Sequence, residues 1–174
     1  MAEDFVITSG TTTNDGNTIN GNDSVTVTGA LVTTGVNEGI DTTGGTNTIS
    51  VSEAGSIETA GGGAFGIFNN GGRNATTVSG SIKTRGLLGD GITNFGDSNQ
   101  TTVSGIIKTG GNLAYGIYNR GDDNTTTISG TVSATGPILG KSNIGQDWQK
   151  RPIQLHPPTT VQSPAGLLNI SMIN

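Results

Sequence analysis

Cysteine is absent from this chain, and with it go disulfides, thiolate nucleophiles and zinc sites built on cysteine. A thiol-free chain suits an oxidising compartment, where stray cysteines cross-link. Histidine is reduced to one residue, His156, flanked by Leu155 and Pro157 with no partner at a catalytic or ligand spacing. Charged residues make up only 12% of the chain, the net charge is −5, and the eight Lys and Arg are scattered. That excludes a basic stripe with interleaved aromatics, so nucleic acid is not an expected partner. No apolar run approaches the roughly 20 residues that span a bilayer, so membrane insertion by this chain is not expected. The opening MAEDFVITSG has neither a basic nor an apolar leader region, so no signal peptide is read there. Proline is missing from most of the chain: all five (Pro137, Pro152, Pro157, Pro158 and Pro164) fall after Gly136.

What remains is glycine, threonine, asparagine and regularly spaced aliphatics. Thirty Gly among 174 residues, with 30% hydrophobic residues, suit a central-core globule poorly. The low charge and regular Val/Ile spacing are equally wrong for a disordered chain. Blocks beginning at Gly66, Gly91 and Gly116 superpose without a gap. Ile67, Ile92 and Ile117 align, as do Val78, Val103 and Ile128, and Ile57, Ile82, Ile107 and Val132. Asn74, Asn99 and Asn124 form a further column, which Asn47 and Asn22 extend backwards. A fixed period of this size marks a stacked solenoid, in which each repeat buries its apolar side against its neighbours.

Within one unit, Ala75–Ser79 alternates like a strand, with Thr76 and Val78 on one face and Thr77 and Ser79 on the other. Gly80 ends it, and Ile82 and Thr84 turn inward on a second strand. A third strand centres on Ile92, and Asn94-Phe95-Gly96-Asp97 reads as the turn back to Asn99. The expected fold is therefore all-β: a right-handed parallel β-helix of about five roughly 25-residue triangular coils. At about 4.8 Å per coil it forms a rod roughly 24 Å long. Residues 1–21 read as an N-terminal cap or irregular first coil, 22–136 as the repeats, and 137–174 as an irregular tail or cap. A two-residue excess at Ser52-Glu53-Ala54-Gly55 is expected to bulge at a corner and leave the inward columns in register.

The block GIxNxGxxNxTTVSGxIxTxG, from Gly66, Gly91 and Gly116, resembles the repeats of bacterial autotransporter passenger domains. The opening FVITSGTTT…DSVTVTG resembles the N-terminal ends of such passengers. The resemblance covers about residues 5–136 and implies a cell-surface or secreted rod, often adhesive, carried outward by a C-terminal outer-membrane barrel. Nothing after Gly136 shows the alternating strands of that barrel, so the chain resembles a passenger fragment. Implied partners are a host-surface protein or glycan, with self-association end to end or side by side.

Candidate binding residues are those that do not repeat. Phe68 and Tyr118 flank Thr93 on the third face, with Phe65 and Tyr115 nearby; such rings stack on sugars or contact proteins. The turns add Arg73, Asp97, Arg120, Asp122 and Asp123. Arg120-Gly121-Asp122 spells an integrin-recognised tripeptide, yet its neighbours show it to be one spelling of a turn that needs Gly second. Asp90, Asp97, Asp122 and Asp123 are the carboxylates a carbohydrate-active β-helix would use; the plainer reading is solvated Gly-Asp turns. Thr77, Thr102 and Thr127 form an outward column reminiscent of ice-binding solenoids, broken by Ala75, Gln100 and Thr125 beside it. The Asn-x-Ser/Thr sequons at Asn74, Asn99 and Asn124 recur with the repeat, and their side chains are expected to hydrogen-bond along the stack. No cofactor is expected, and the sequence shows neither a calcium-binding repeat signature nor a phosphate loop. The expected function is a non-catalytic structural or adhesive rod. The alternatives are a carbohydrate-active enzyme and a phage tail fragment.

Overall fold

Short Val/Ile/Thr strands separated by Gly and Asn corners cannot bury a face alone, so they stack. The computed structural model describes residues 3–8, 11–12 and 17–136, with short strands at 144–147, 154–155, 160–162 and 171–173. It is a parallel β-solenoid of about five turns of about 25 residues, built from three parallel sheets. The first sheet contains Ser24–Val27, Thr48–Val51, Ala75–Val78, Gln100–Val103 and Thr125–Ile128. The second contains Ala30–Thr33, Ser56–Thr59, Ser81–Thr84, Ile106–Thr109 and Thr131–Ala134. The third contains Asn17–Asn20, Ile40–Thr43, Ile67–Asn70, Ile92–Asn94 and Ile117–Arg120.

The aliphatic columns face inward as expected. Val51, Val78, Val103 and Ile128 stack in the first sheet, Ile57, Ile82, Ile107 and Val132 in the second, and Ile40, Ile67, Ile92 and Ile117 in the third. All are buried, and each contributes about 1.5–3 kcal/mol relative to an exposed side chain. The excess in the second coil is expelled at the corner. Val51 pairs with Val78 and Ser56 with Ser81, while Glu53 and Ala54 stand exposed between them.

At two asparagines the structure departs from what the spacing predicts. The stack of Asn47, Asn74, Asn99 and Asn124 is continued backwards by Asp23, not Asn22: Asp23 N–H donates to Asn47 Oδ1, and Ser24 pairs with Thr48. Asn22 instead occupies the next corner position, with φ at 66°. There it heads a left-handed column completed by Thr46, Arg73, Ser98 and Asp123. Asn94, expected in a surface turn, instead ends a strand inside the core. It is the middle rung of a buried ladder. Asn69 Nδ2 donates to Asn94 Oδ1 at 2.7 Å, and Asn94 Nδ2 donates to Asn119 Oδ1 at 2.6 Å. Each rung also donates to an inward hydroxyl, of Thr76, Thr101 or Thr126, at 3.0 Å.

The outer asparagine stack works differently. Each Oδ1 accepts the backbone N–H of the preceding coil, at 2.8–2.9 Å for Asn74, Asn99 and Asn124. Their Nδ2 groups cap the turn carbonyls of Gly71, Gly96 and Gly121. Each of these asparagines thus fastens one coil to the next and closes its own corner.

Corner glycine is demanded by crowding at Gly86, where a Cβ would overlap the carbonyl oxygen of Gly61 in the coil before it. After residue 136, Ile144–Asp147, Gln154–Leu155, Thr160–Gln162 and Ser171–Ile173 prolong the three sheets in parallel. Trp148, His156 and the five prolines lie outside the described residues.

Candidate binding site

The third sheet places outward residues of successive coils directly above one another. Phe68, Thr93 and Tyr118 are register partners, as the spacing predicts. Three residues before each stand Phe65, Asp90 and Tyr115. One coil therefore carries a phenylalanine pair, the next a short polar pair, and the next a tyrosine pair. Phe65 and Phe68 have centroids 5.2 Å apart, and Tyr115 and Tyr118 stack at 5.3 Å and 18°. Because Asp90 and Thr93 are short where their neighbours carry rings, a slot one coil wide opens between the ring pairs. Its volume is about 330 Å³.

Thr93 is the floor of this slot, only 2% exposed, and not a surface residue between two rings. Its hydroxyl donates to Asp90 Oδ2 at 2.9 Å, and Tyr115 N–H donates to Asp90 Oδ1 at 2.7 Å. Asp90 is itself 6% exposed. Burial pushes its carboxyl up to about 6, against the two hydrogen bonds, which favour the charged form. The Tyr115 phenol is raised by burial and by the charge of Asp90.

Leu88 and Leu113 line the rim, 50% and 42% exposed, with φ of 59° and 57°. A bulky residue in the left-handed region is uncommon and is retained only where surroundings impose it. Exposed leucines there extend the apolar wall outward. Phe95 closes the other end, edge-on to Phe68 at 6.0 Å, with the Arg120 guanidinium 4.5 Å over its ring. Arg120 is thereby engaged on the rod's own aromatic, a contact worth about 0.5–1 kcal/mol at an exposed site.

The remaining expected residues gather elsewhere. Arg73, Asp97, Asp122 and Asp123 share an open corner groove of about 720 Å³ with Gly72 and Ser98. The Asp97 carboxylate accepts Asp122 N–H at 2.8 Å, and Arg73 N–H donates to the Asp97 carbonyl at 2.9 Å. This groove is larger than the slot, but its Arg and Asp side chains are exposed. Solvent competes there for every polar contact. The strand Ile92–Asn94 separates Asp90 from Asp97, so the four aspartates do not form one carboxylate face. Among the described residues no group of three or more His, Asp or Glu is arranged to hold a metal ion. The second sheet gathers Lys83, Arg85 and Lys108 around a further groove, where Glu58 pairs with both Lys83 and Arg85.

Sequence reasoning found Phe68, Thr93 and Tyr118 but left Asp90, Phe95, Leu88 and Leu113 out of the site. The missed signal for Asp90 was its place between Phe65 and Tyr115 in one column of the repeat.

Fold and slot together define the class: a parallel β-solenoid with a recessed aromatic cleft on one face. Comparison of the chain with family models, curated proteins and solved structures finds no match in any of the three.

Proposed function

We propose that this protein is a non-catalytic β-solenoid that presents the aromatic slot to a saccharide. The observation that carries this reading is the two ring pairs, Phe65/Phe68 tilted and Tyr115/Tyr118 stacked, flanking the recessed Asp90 and Thr93. A pyranose exposes an apolar, weakly positive C–H face that complements the negative face of an aromatic ring. Its hydroxyls need a few fixed polar groups for orientation; the lining is nearly all apolar, and Asp90 and Thr93 lie recessed beneath it as the polar groups within reach. The resemblance of the repeats to autotransporter passengers supports a cell-surface or secreted rod with adhesion as its role.

A second reading is favoured by one feature. A buried carboxylate in a cleft with a raised pKa is the usual mark of a general acid. Glycoside hydrolysis, however, ordinarily takes two carboxylates about 5–9.5 Å apart, and Asp90 is the single carboxylate lining the slot.

A glycan array probed with the wild type and with the Phe68→Ala/Tyr118→Ala double variant tests the proposal. We expect retained glycans with the wild type, and at least about tenfold weaker binding when one ring of each pair is removed. The double variant should keep the wild-type far-UV circular dichroism. Equal binding by both proteins, or none by either, would count against the slot. Turnover of a bound glycan would establish the enzymatic reading instead.

A further inference from the structure

Resting on that saccharide reading, we propose that the slot selects a sugar carrying a protonated amine, a hexosamine unit within a linear oligosaccharide. Charge complementarity points there. The slot is lined by the four aromatic rings of the two pairs, and a cation that reaches a ring face is attracted by it. Its floor is a carboxylate whose two hydrogen-bond partners, the Thr93 hydroxyl and the Tyr115 amide, are neutral dipoles. An ammonium group supplies the charge that this arrangement lacks, through a charge-assisted hydrogen bond.

The same face is acidic again two coils away. Asp41 is the register partner of Phe68 in the preceding coil, and Glu38 stands three residues before it. Acidic and aromatic coils therefore alternate: Glu38/Asp41, Phe65/Phe68, Asp90/Thr93, Tyr115/Tyr118. Asp41 Oδ1 is buried with no hydrogen-bond partner, and burial together with the charge of Glu38 raises the Asp41 pKa. Carboxylates thus recur at two coil rises, roughly 9.6 Å. A pyranose held between the ring pairs has its chain running along the slot, across the rod axis, so one unit meets Asp90, while Glu38 and Asp41 leave the far side of the phenylalanine pair acidic as well. The width between ring pairs, set by the same two rises, admits the thickness of a pyranose.

Protonation gives the interaction a pH window. Asp90 binds an amine when ionised, so affinity falls as pH drops through about 6. The titratable groups facing it are the phenols of Tyr115 and Tyr118 on one neighbouring coil; the phenylalanine coil contributes none. Arg120 stands at the rim over Phe95.

The test is calorimetric titration of the full chain at pH 7 and pH 5 with three probes. These are a glucosamine hexasaccharide, its fully N-acetylated counterpart, and choline. The expected result is binding of the glucosamine oligomer on the order of tenfold or more tighter than the acetylated one. That preference should vanish in Asp90→Asn and shrink at pH 5. Equal affinity for both oligomers would overturn the amine inference and leave the saccharide reading standing. Binding of choline without either oligomer would overturn both, and so would an absence of binding by all three. Phe68→Ala provides a second variant: it should weaken both oligomers together.

Discussion

Asn94→Leu is expected to destabilise the solenoid by roughly 3–6 kcal/mol. The leucine fills a similar volume, so cavity formation is not the cause. The cost arises from partners left behind. Asn69 Nδ2 loses the acceptor at 2.7 Å, Asn119 Oδ1 loses the donor at 2.6 Å, and the Thr101 hydroxyl loses the donor at 3.0 Å. All three residues are at most 1% exposed, so water cannot replace what is lost. Each abandoned buried group costs about 1–3 kcal/mol, and burial of the leucine offsets part of the sum. The ladder also predicts an asymmetry. Replacing Asn69, Asn94 and Asn119 together removes donors and acceptors in pairs, so the triple variant should cost clearly less than three single ones. Urea unfolding of the single and triple variants checks both statements; strict additivity would mean that the rungs act independently. The ladder already has one open end: Asn69 Oδ1 has no partner, and its neighbour in the preceding coil, Thr42, has a hydroxyl that is likewise unpaired.

Asp90→Asn is expected to stabilise the protein at neutral pH and to leave it unchanged in acid. The Asp90 carboxyl titrates near 6 in the folded chain, above its ordinary 3.8. A group raised in this way contributes fully below the unfolded value, and that contribution is lost as pH rises through the folded one. Wild type should therefore lose roughly 2–3 kcal/mol between about pH 4 and pH 7 on account of this residue. The amide can accept Tyr115 N–H and donate to the Thr93 oxygen, so it keeps both contacts without carrying a charge. Thermal melts at pH 4 and pH 7.5 should show coincident wild-type and variant curves at the lower pH. At the higher pH the variant should melt about 4–12 °C above wild type. Asp41, raised by burial and by Glu38, adds a smaller slope of the same sign to both proteins. Coincident curves at both pH values would show that Asp90 is not held in a desolvated slot.

The architecture was legible because a solenoid writes its geometry into the sequence as a period. Ile67, Ile92 and Ile117 could align only if each coil repeats the path of the last, and the structure stacks them as register partners. Identity misled where the period itself changes. Asn22 matches Asn47 at a spacing of 25, but the first sheet advances by 24 there, from Ser24 to Thr48, so Asp23 takes the column. Asn94 was hidden by its company, since Asn-Phe-Gly-Asp has the composition of a turn. Nothing local announces that its amide points inward to a threonine one strand further on. Asp90 was concealed in the same way by Gly89 and Gly91. Its burial follows from rings on two other coils, a relation visible only once the columns are read as neighbours in space. Of the turn residues, Arg73, Asp97, Asp122 and Asp123 line one exposed corner groove, while Arg120 lies over the Phe95 ring.

The central claim, that the slot between the ring pairs is where a ligand sits, is tested most directly by nuclear magnetic resonance. Isotopically labelled protein is titrated with a retained saccharide, and the shifted resonances are assigned. The account predicts that the Thr93 methyl and the Tyr115 amide move first, with the rings of Phe68 and Tyr118. Perturbations centred on Arg73, Asp97 and Asp122, with Thr93 and Tyr115 unmoved, would contradict it.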